Sequence, residues 1–117
     1  MDGFYIAYMT GRAGTSLLML IIKEGALVGA DVGGMKYDGT LVAKPDGSGF
    51  TVSVVYIIPA SATLITGAPP PAIPQRIPLQ FELPSNFADG RVVTIETPLG
   101  AVNAKFEKLR DLEVAHG

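Results

Sequence analysis

The side chains that most often carry catalysis are scarce in this chain. It has one histidine, His116, next to the end of a 117-residue sequence, and no cysteine. General acid–base and nucleophilic schemes draw on His, Cys or closely placed carboxylates, so the search narrows to the acids. Asp31 and Asp38 stand seven residues apart across a predicted turn, a spacing at which two carboxylates can converge on a water and activate it for hydrolysis. No serine lies in a Gly-x-Ser-x-Gly elbow. The glycine-rich stretch Gly25-Ala26-Leu27-Val28-Gly29-Ala30-Asp31-Val32-Gly33-Gly34 fits neither the Walker A nor the dinucleotide spacing. No helix follows it whose N-terminus would hold an anion, so it reads as a tight hairpin. The lack of Cys also removes disulfides, thiol redox work and nearly all structural zinc sites. The expectation is a protein that is not an enzyme and holds no cofactor or metal.

Charge narrows the partners. Nine Lys and Arg against eleven Asp and Glu leave a net charge of -2, whereas nucleic acid and anionic lipid select basic patches. Only Lys105, Lys108 and Arg110 cluster, and Glu107, Asp111 and Glu113 neutralise them. Direct contact with nucleic acid is therefore not expected. The longest apolar run, residues 17–22, has six members, far short of the roughly 20 that a membrane-spanning helix needs. The start, Met1-Asp2-Gly3-Phe4, has no basic segment, and Gly11 and Arg12 interrupt any signal-peptide core. A cytoplasmic protein that stays off membranes is expected.

The elements that would position any site are strands. Apolar residues make up 48% of the chain, ordinary for a globular domain, while charged residues make up only 17%, below the usual quarter. Fourteen Gly and nine Pro punctuate short apolar segments at about 2–9, 16–23, 26–32, 36–44, 49–58, 76–83, 91–97 and 100–108. That is the pattern of an all-β domain, and eight such strands suit an antiparallel barrel or a sandwich. Period-two alternation is clean in the second half. Ile77, Leu79, Phe81 and Leu83 oppose Arg76, Gln80 and Glu82, and Val102, Ala104 and Phe106 oppose Asn103, Lys105 and Glu107. Asp46-Gly47, Asp89-Gly90 and Pro98-Leu99-Gly100 supply hairpin turns. Gly39 falls inside a strand, as at a bulge or a barrel corner. The domain spans residues 1–109, and 110–117 reads as a frayed tail that includes His116. A long connection, 59–75, carries Pro59, Pro69, Pro70, Pro71 and Pro74. It suits a strap over a barrel mouth, with room for one short helix over residues 60–65.

Two strands break the alternation, and they carry the functional expectations. With Leu18, Leu20 and Ile22 inward, Leu17, Met19 and Ile21 face out; with Val52, Val54 and Tyr56 inward, Val55 and Ile57 face out. An antiparallel strand that is apolar on both faces must be covered twice, so these five outward residues are candidates for a homodimer interface. The interior is the second candidate. An eight-stranded barrel either fills with side chains or holds one small ligand. Tyr37, Leu41, Phe50, Tyr56 and Phe81 point inward, bulky groups set among small ones such as Gly39 and Ala104, which leaves room for a small apolar ligand beside the alternative of a filled core. The turn Lys44, Pro45, Asp46 and Ser48 protrudes, as does the Pro-rich connection, and either could touch a protein partner.

Asp2-Gly3-Phe4-Tyr5, the hairpin Gly25-Ala26-Leu27-Val28-Gly29-Ala30-Asp31 and Tyr37-Asp38-Gly39 resemble the GrlR family, small bacterial negative regulators of type III secretion genes. The order and spacing match over roughly residues 1–45, and the later strands match loosely. The resemblance implies an up-and-down, lipocalin-like barrel that forms a homodimer and acts by sequestering a transcriptional activator. The family's acidic run after the fourth strand is replaced here by Ala43-Lys44-Pro45-Asp46, which leaves one acid. The leading expectation is thus a non-enzymatic regulator that works by protein–protein binding. Its rival is a small-molecule binder that uses the barrel interior, although the lipocalin Gly-x-Trp signature is missing from a chain without Trp.

Overall fold

Alternating inward apolar residues and outward polar ones make each strand a half-buried ribbon, and such ribbons bury their apolar faces by curling around a common axis. The computed structural model describes residues 1–113. Eight strands follow in chain order: β1 (Gly3–Gly11), β2 (Gly14–Lys23), β3 (Ala26–Asp31), β4 (Lys36–Ala43), β5 (Gly49–Ile58), β6 (Gln75–Pro84), β7 (Asp89–Thr97) and β8 (Gly100–Arg110). All neighbours are antiparallel, in the order β6-β5-β4-β3-β2-β1-β8-β7. The sheet is an up-and-down meander in which β8 returns to pair with β1. The barrel is nearly closed, because β6 and β7 touch without a hydrogen-bonded ladder. Pro78 lies in β6 opposite Val55. A proline has no N–H to give a second neighbour, so it marks the strand that ends the sheet. Arg110 pairs with Phe4 as the last residue of β8, so the ordered barrel runs one residue beyond the sequence-based boundary. His116 lies outside the described residues.

The inward parities are those of the alternation. Tyr5, Ala7 and Met9 from β1, Leu18, Leu20 and Ile22 from β2, Val52 and Val54 from β5, and Val102, Ala104 and Phe106 from β8 form one buried core. Gly39 is a corner and not a bulge. The β4–β5 register runs unbroken through Gly39↔Val54, and a Cβ at Gly39 would stand 2.6 Å from the Val54 Cα. The two backbones approach too closely there for any side chain.

The strands' ends divide the barrel into two mouths. The β2–β3, β4–β5 and β6–β7 turns lie at one end. The β1–β2, β3–β4 and β7–β8 turns lie at the other, with the long connection after β5. The first end is plugged by Phe87 from the β6–β7 turn, only 2% exposed. Its ring stacks on Tyr5 at 5.8 Å and meets Phe50 and Phe106 edge-on at 5.7 and 5.6 Å, geometries that aromatic quadrupoles favour. The short helix for which residues 60–65 leave room is not formed. Ser61 has φ 63°, outside the right-handed helical region, and its N–H is committed across the loop to the Pro71 carbonyl at 2.8 Å. Isolated turns take the helix's place. No helix among the described residues is long and apolar enough to cross a membrane.

Candidate functional site

The interior is not filled. Between the Phe87 plug and the strap formed by residues 59–74 lies a cavity of about 330 Å³, within the range of roughly 300–1,000 Å³ typical of ligand pockets. Its walls are strand residues of inward parity, among them Leu20, Ile22, Val54 and Leu79. Their side chains are apolar, and the buried Phe87 lies at the floor.

The strap is positioned by specific bonds. The Ala13 N–H donates to the Ile65 carbonyl at 2.7 Å, which ties it to the β1–β2 turn. Leu64, 4% exposed, inserts beside Met35 and Ile58 to make a small second core. Thr63, Leu64, Ile65 and Thr66 thus line the cavity from a connection that has no strand pattern.

Polar groups gather at this mouth. Asp31 ends β3 with inward parity, since Leu27 and Gly29 share it and are buried. Its Oδ1 accepts the N–H of Gly33 at 2.9 Å and of Met35 at 3.1 Å. Its Oδ2 accepts the Tyr37 hydroxyl at 2.9 Å. Beside it the Tyr37 and Tyr56 rings stack at 5.0 Å and 12°, and the Tyr56 hydroxyl points to the Met35 sulfur at 2.9 Å. Burial, then the neighbouring Tyr56 and Asp31, push the Tyr37 hydroxyl well above the ordinary tyrosine range. Burial also raises Tyr56. Both rings therefore face the cavity as neutral phenols at any physiological pH.

Of the residues expected at a cavity, Tyr37, Leu41, Tyr56 and Phe81 line it. Phe50 does not. It lies near the plugged end, where the Phe87 ring fills the space it would otherwise face. Asp31 and Asp38 do not converge. Their strands place Asp31 on the inner face and Asp38, one residue beyond inward Tyr37, on the exposed outer face, so no carboxylate pair forms for hydrolysis. Among the described residues no three His, Cys, Asp or Glu side chains gather closely enough to hold a metal ion.

The five outward apolar residues do not form one patch. Met19 and Ile21 are 44% and 37% exposed, and Leu17 is half-buried. In register with them stand Tyr8, Ile6 and Phe4 of β1, and beyond Met19 and Ile21 stand Ala30 and Val28 of β3. This makes an apolar face three strands wide. Val55 and Ile57 lie apart from it, because the outward residues of β4 opposite them are Asp38 and Lys36. The turn at Lys44, Pro45, Asp46 and Ser48 is held by bonds of its own and tied to β6. Asp46 Oδ1 accepts the Ser48 N–H and hydroxyl at 3.0 and 2.7 Å, bonds that hold its carboxyl below the usual range. Lys44 pairs with Glu82 at 2.8 Å. The turn also sits at the plugged end, away from the mouth.

Three features were missed in the sequence. The inward parity of Asp31 was legible from Leu27 and Gly29 beside it. Leu64 and Phe87 lie in connections, where no periodicity signals burial. No family model, curated protein or solved structure matches the chain.

Proposed function

We propose that this chain is a non-enzymatic binding protein whose barrel takes a small apolar molecule. The observation that carries this is the 330 Å³ cavity, walled by Leu, Ile and Val and rimmed by Asp31, Tyr37 and threonines. Apolar walls with a few convergent polar groups are what small-molecule sites look like, and an interior that could have packed solid is left open. The test is native mass spectrometry of gently purified protein, paired with titration of the neutral fluorophore 1-aminoanthracene. Binding at one site per chain is expected, with loss of binding in Leu79→Phe, which places a larger ring in the cavity from an edge strand. An empty mass and no fluorophore uptake would refute the proposal.

A second reading rests on the outer face of β1, β2 and β3. Contiguous exposed apolar patches are uncommon on soluble monomers, and Phe4, Ile6, Tyr8, Met19, Ile21 and Val28 are joined there by strand register. This favours a homodimer, or a docking surface for a protein such as the transcriptional activator that the GrlR resemblance implies, with the protein working in the cytoplasm. Met19→Lys is expected to lower the assembly state in light scattering. A Met19→Lys protein with unchanged mass would remove this reading and leave the cavity untouched. The two surfaces lie on opposite faces of the same strands, so one protein can use both.

A further inference from the structure

The cavity's electrostatics are one-sided. Its lining includes Asp31 and no Lys, Arg or His among the described residues. The Asp31 carboxylate forms none of the ion pairs found among those residues. An ionised carboxylate offers about four acceptor positions. Gly33 and Met35 occupy two on Oδ1 and Tyr37 occupies one on Oδ2, so Oδ2 keeps an acceptor position while the full negative charge stays on the wall. The two backbone donors explain how the β3–β4 turn is held. They do not neutralise that charge, and they fix the carboxylate in place before any ligand arrives.

A ligand with an apolar tail in this cavity would bring its head to the mouth, where Asp31 is half-buried. A carboxylate head meets a like charge with no cation among the described lining residues to balance it, which is destabilising. A neutral hydroxyl head donates a hydrogen bond strengthened only by the carboxylate's charge. An ammonium head adds a charge of opposite sign, so the hydrogen bond and an ion pair coincide. Its desolvation is modest because the rim remains partly wet.

Resting on the ligand-binding reading above, we propose that the barrel selects amphiphiles with a cationic, hydrogen-bond-donating head, alkyl amines above alcohols, and discriminates against alkyl carboxylates. Asp31 is the specificity-determining residue, and Tyr37 positions it through Oδ2.

The test uses the full chain at neutral pH, with 1-aminoanthracene displaced by decylamine, decan-1-ol and decanoate, three heads on one tail. Decylamine is expected to displace the fluorophore at a concentration about tenfold or more below that of decanoate, with decanol between. Asp31→Asn keeps an acceptor for the turn and removes the charge, and it is expected to bring the three within about threefold of one another. Thr63→Lys adds a cation from an exposed position on the rim and is expected to favour decanoate, a check that does not depend on Asp31→Asn folding. Wild-type protein that binds decanoate as well as decylamine would overturn the head-group selectivity and leave the apolar site standing. Uptake of none of the four compounds would overturn the ligand-binding reading itself.

Discussion

Replacing Phe87 by Ala removes the plug of the barrel, and the structure sets how much that should cost. Phe87 is 2% exposed and its ring touches three others, Tyr5, Phe50 and Phe106, at centroid distances of 5.6–5.8 Å. Truncation of a buried Phe costs about 3–5 kcal/mol, because transfer free energy is lost and a cavity is left. Here the surrounding rings sit on three different strands whose backbones are held in ladders, so collapse into the gap is limited. The cost should fall near the upper half of the range, about 4–5 kcal/mol. That is a large part of the roughly 5–15 kcal/mol that a domain has in total. With a urea m-value of about 2 kcal/mol/M, typical of small domains, the midpoint should fall by about 2 M. The assay is equilibrium urea unfolding followed by tyrosine fluorescence and far-UV circular dichroism, at fixed protein concentration. Ile73→Ala is the control. Ile73 is a large apolar residue that also lies in a connection but is 66% exposed, and its truncation should shift stability by less than about 0.5 kcal/mol. A Phe87→Ala midpoint within about 0.5 M of wild type would refute the claim that this turn residue closes the barrel.

Alkaline pH should weaken the fold through the two stacked tyrosines. Burial holds Tyr37 and Tyr56 protonated in the native state above their ordinary pKa of 10.0, so the unfolded chain sheds those protons first. Stability is then intact below about pH 10 and falls above it, by at most about 1.4 kcal/mol per pH unit for each retained proton. Tyr37→Phe should flatten part of that fall, and urea midpoints of the two proteins that stay parallel between about pH 9 and 11 would contradict it. Gly39→Ala should cost about 1–3 kcal/mol through overlap with the β5 backbone. Gly47→Ala meets nothing within 4 Å and loses only the ease of its left-handed φ of 74°, about 1–2 kcal/mol; thermal melts that rank the pair the other way by a wide margin would count against the corner at Gly39. Leu64→Ala should unseat the strap at a cost of about 2–4 kcal/mol. It should also speed release of 1-aminoanthracene in stopped flow, and unchanged release would mean that the strap does not gate the mouth.

Most of the scaffold was legible in the sequence because its signals are local. Val102, Ala104 and Phe106 alternate with Asn103, Lys105 and Glu107, and that period alone assigns faces. The strands expected at 49–58 and 76–83 appear as Gly49–Ile58 and Gln75–Pro84. Composition leaves room for a helical turn at residues 60–65, while the bond from Ser61 to Pro71 that excludes it is a contact across the loop that no window of sequence contains. The outward residues were assigned to the right face, yet Val55 and Ile57 were grouped with Leu17, Met19 and Ile21. Their separation by Lys36 and Asp38 depends on which strands are neighbours.

What the sequence by itself determined is therefore the number of strands, their facing and their turns, all set by side-chain period and by the backbone demands of Gly and Pro. Tertiary structure alone decided that the interior stays open, that Phe87 stoppers one end and Leu64 straps the other, and that Asp31 stands on the cavity wall with no cation beside it among the described residues. The physical reason is that volume and charge balance are sums over all the walls. Eight strands must close before it is settled whether the space between them is filled or what faces a single carboxylate.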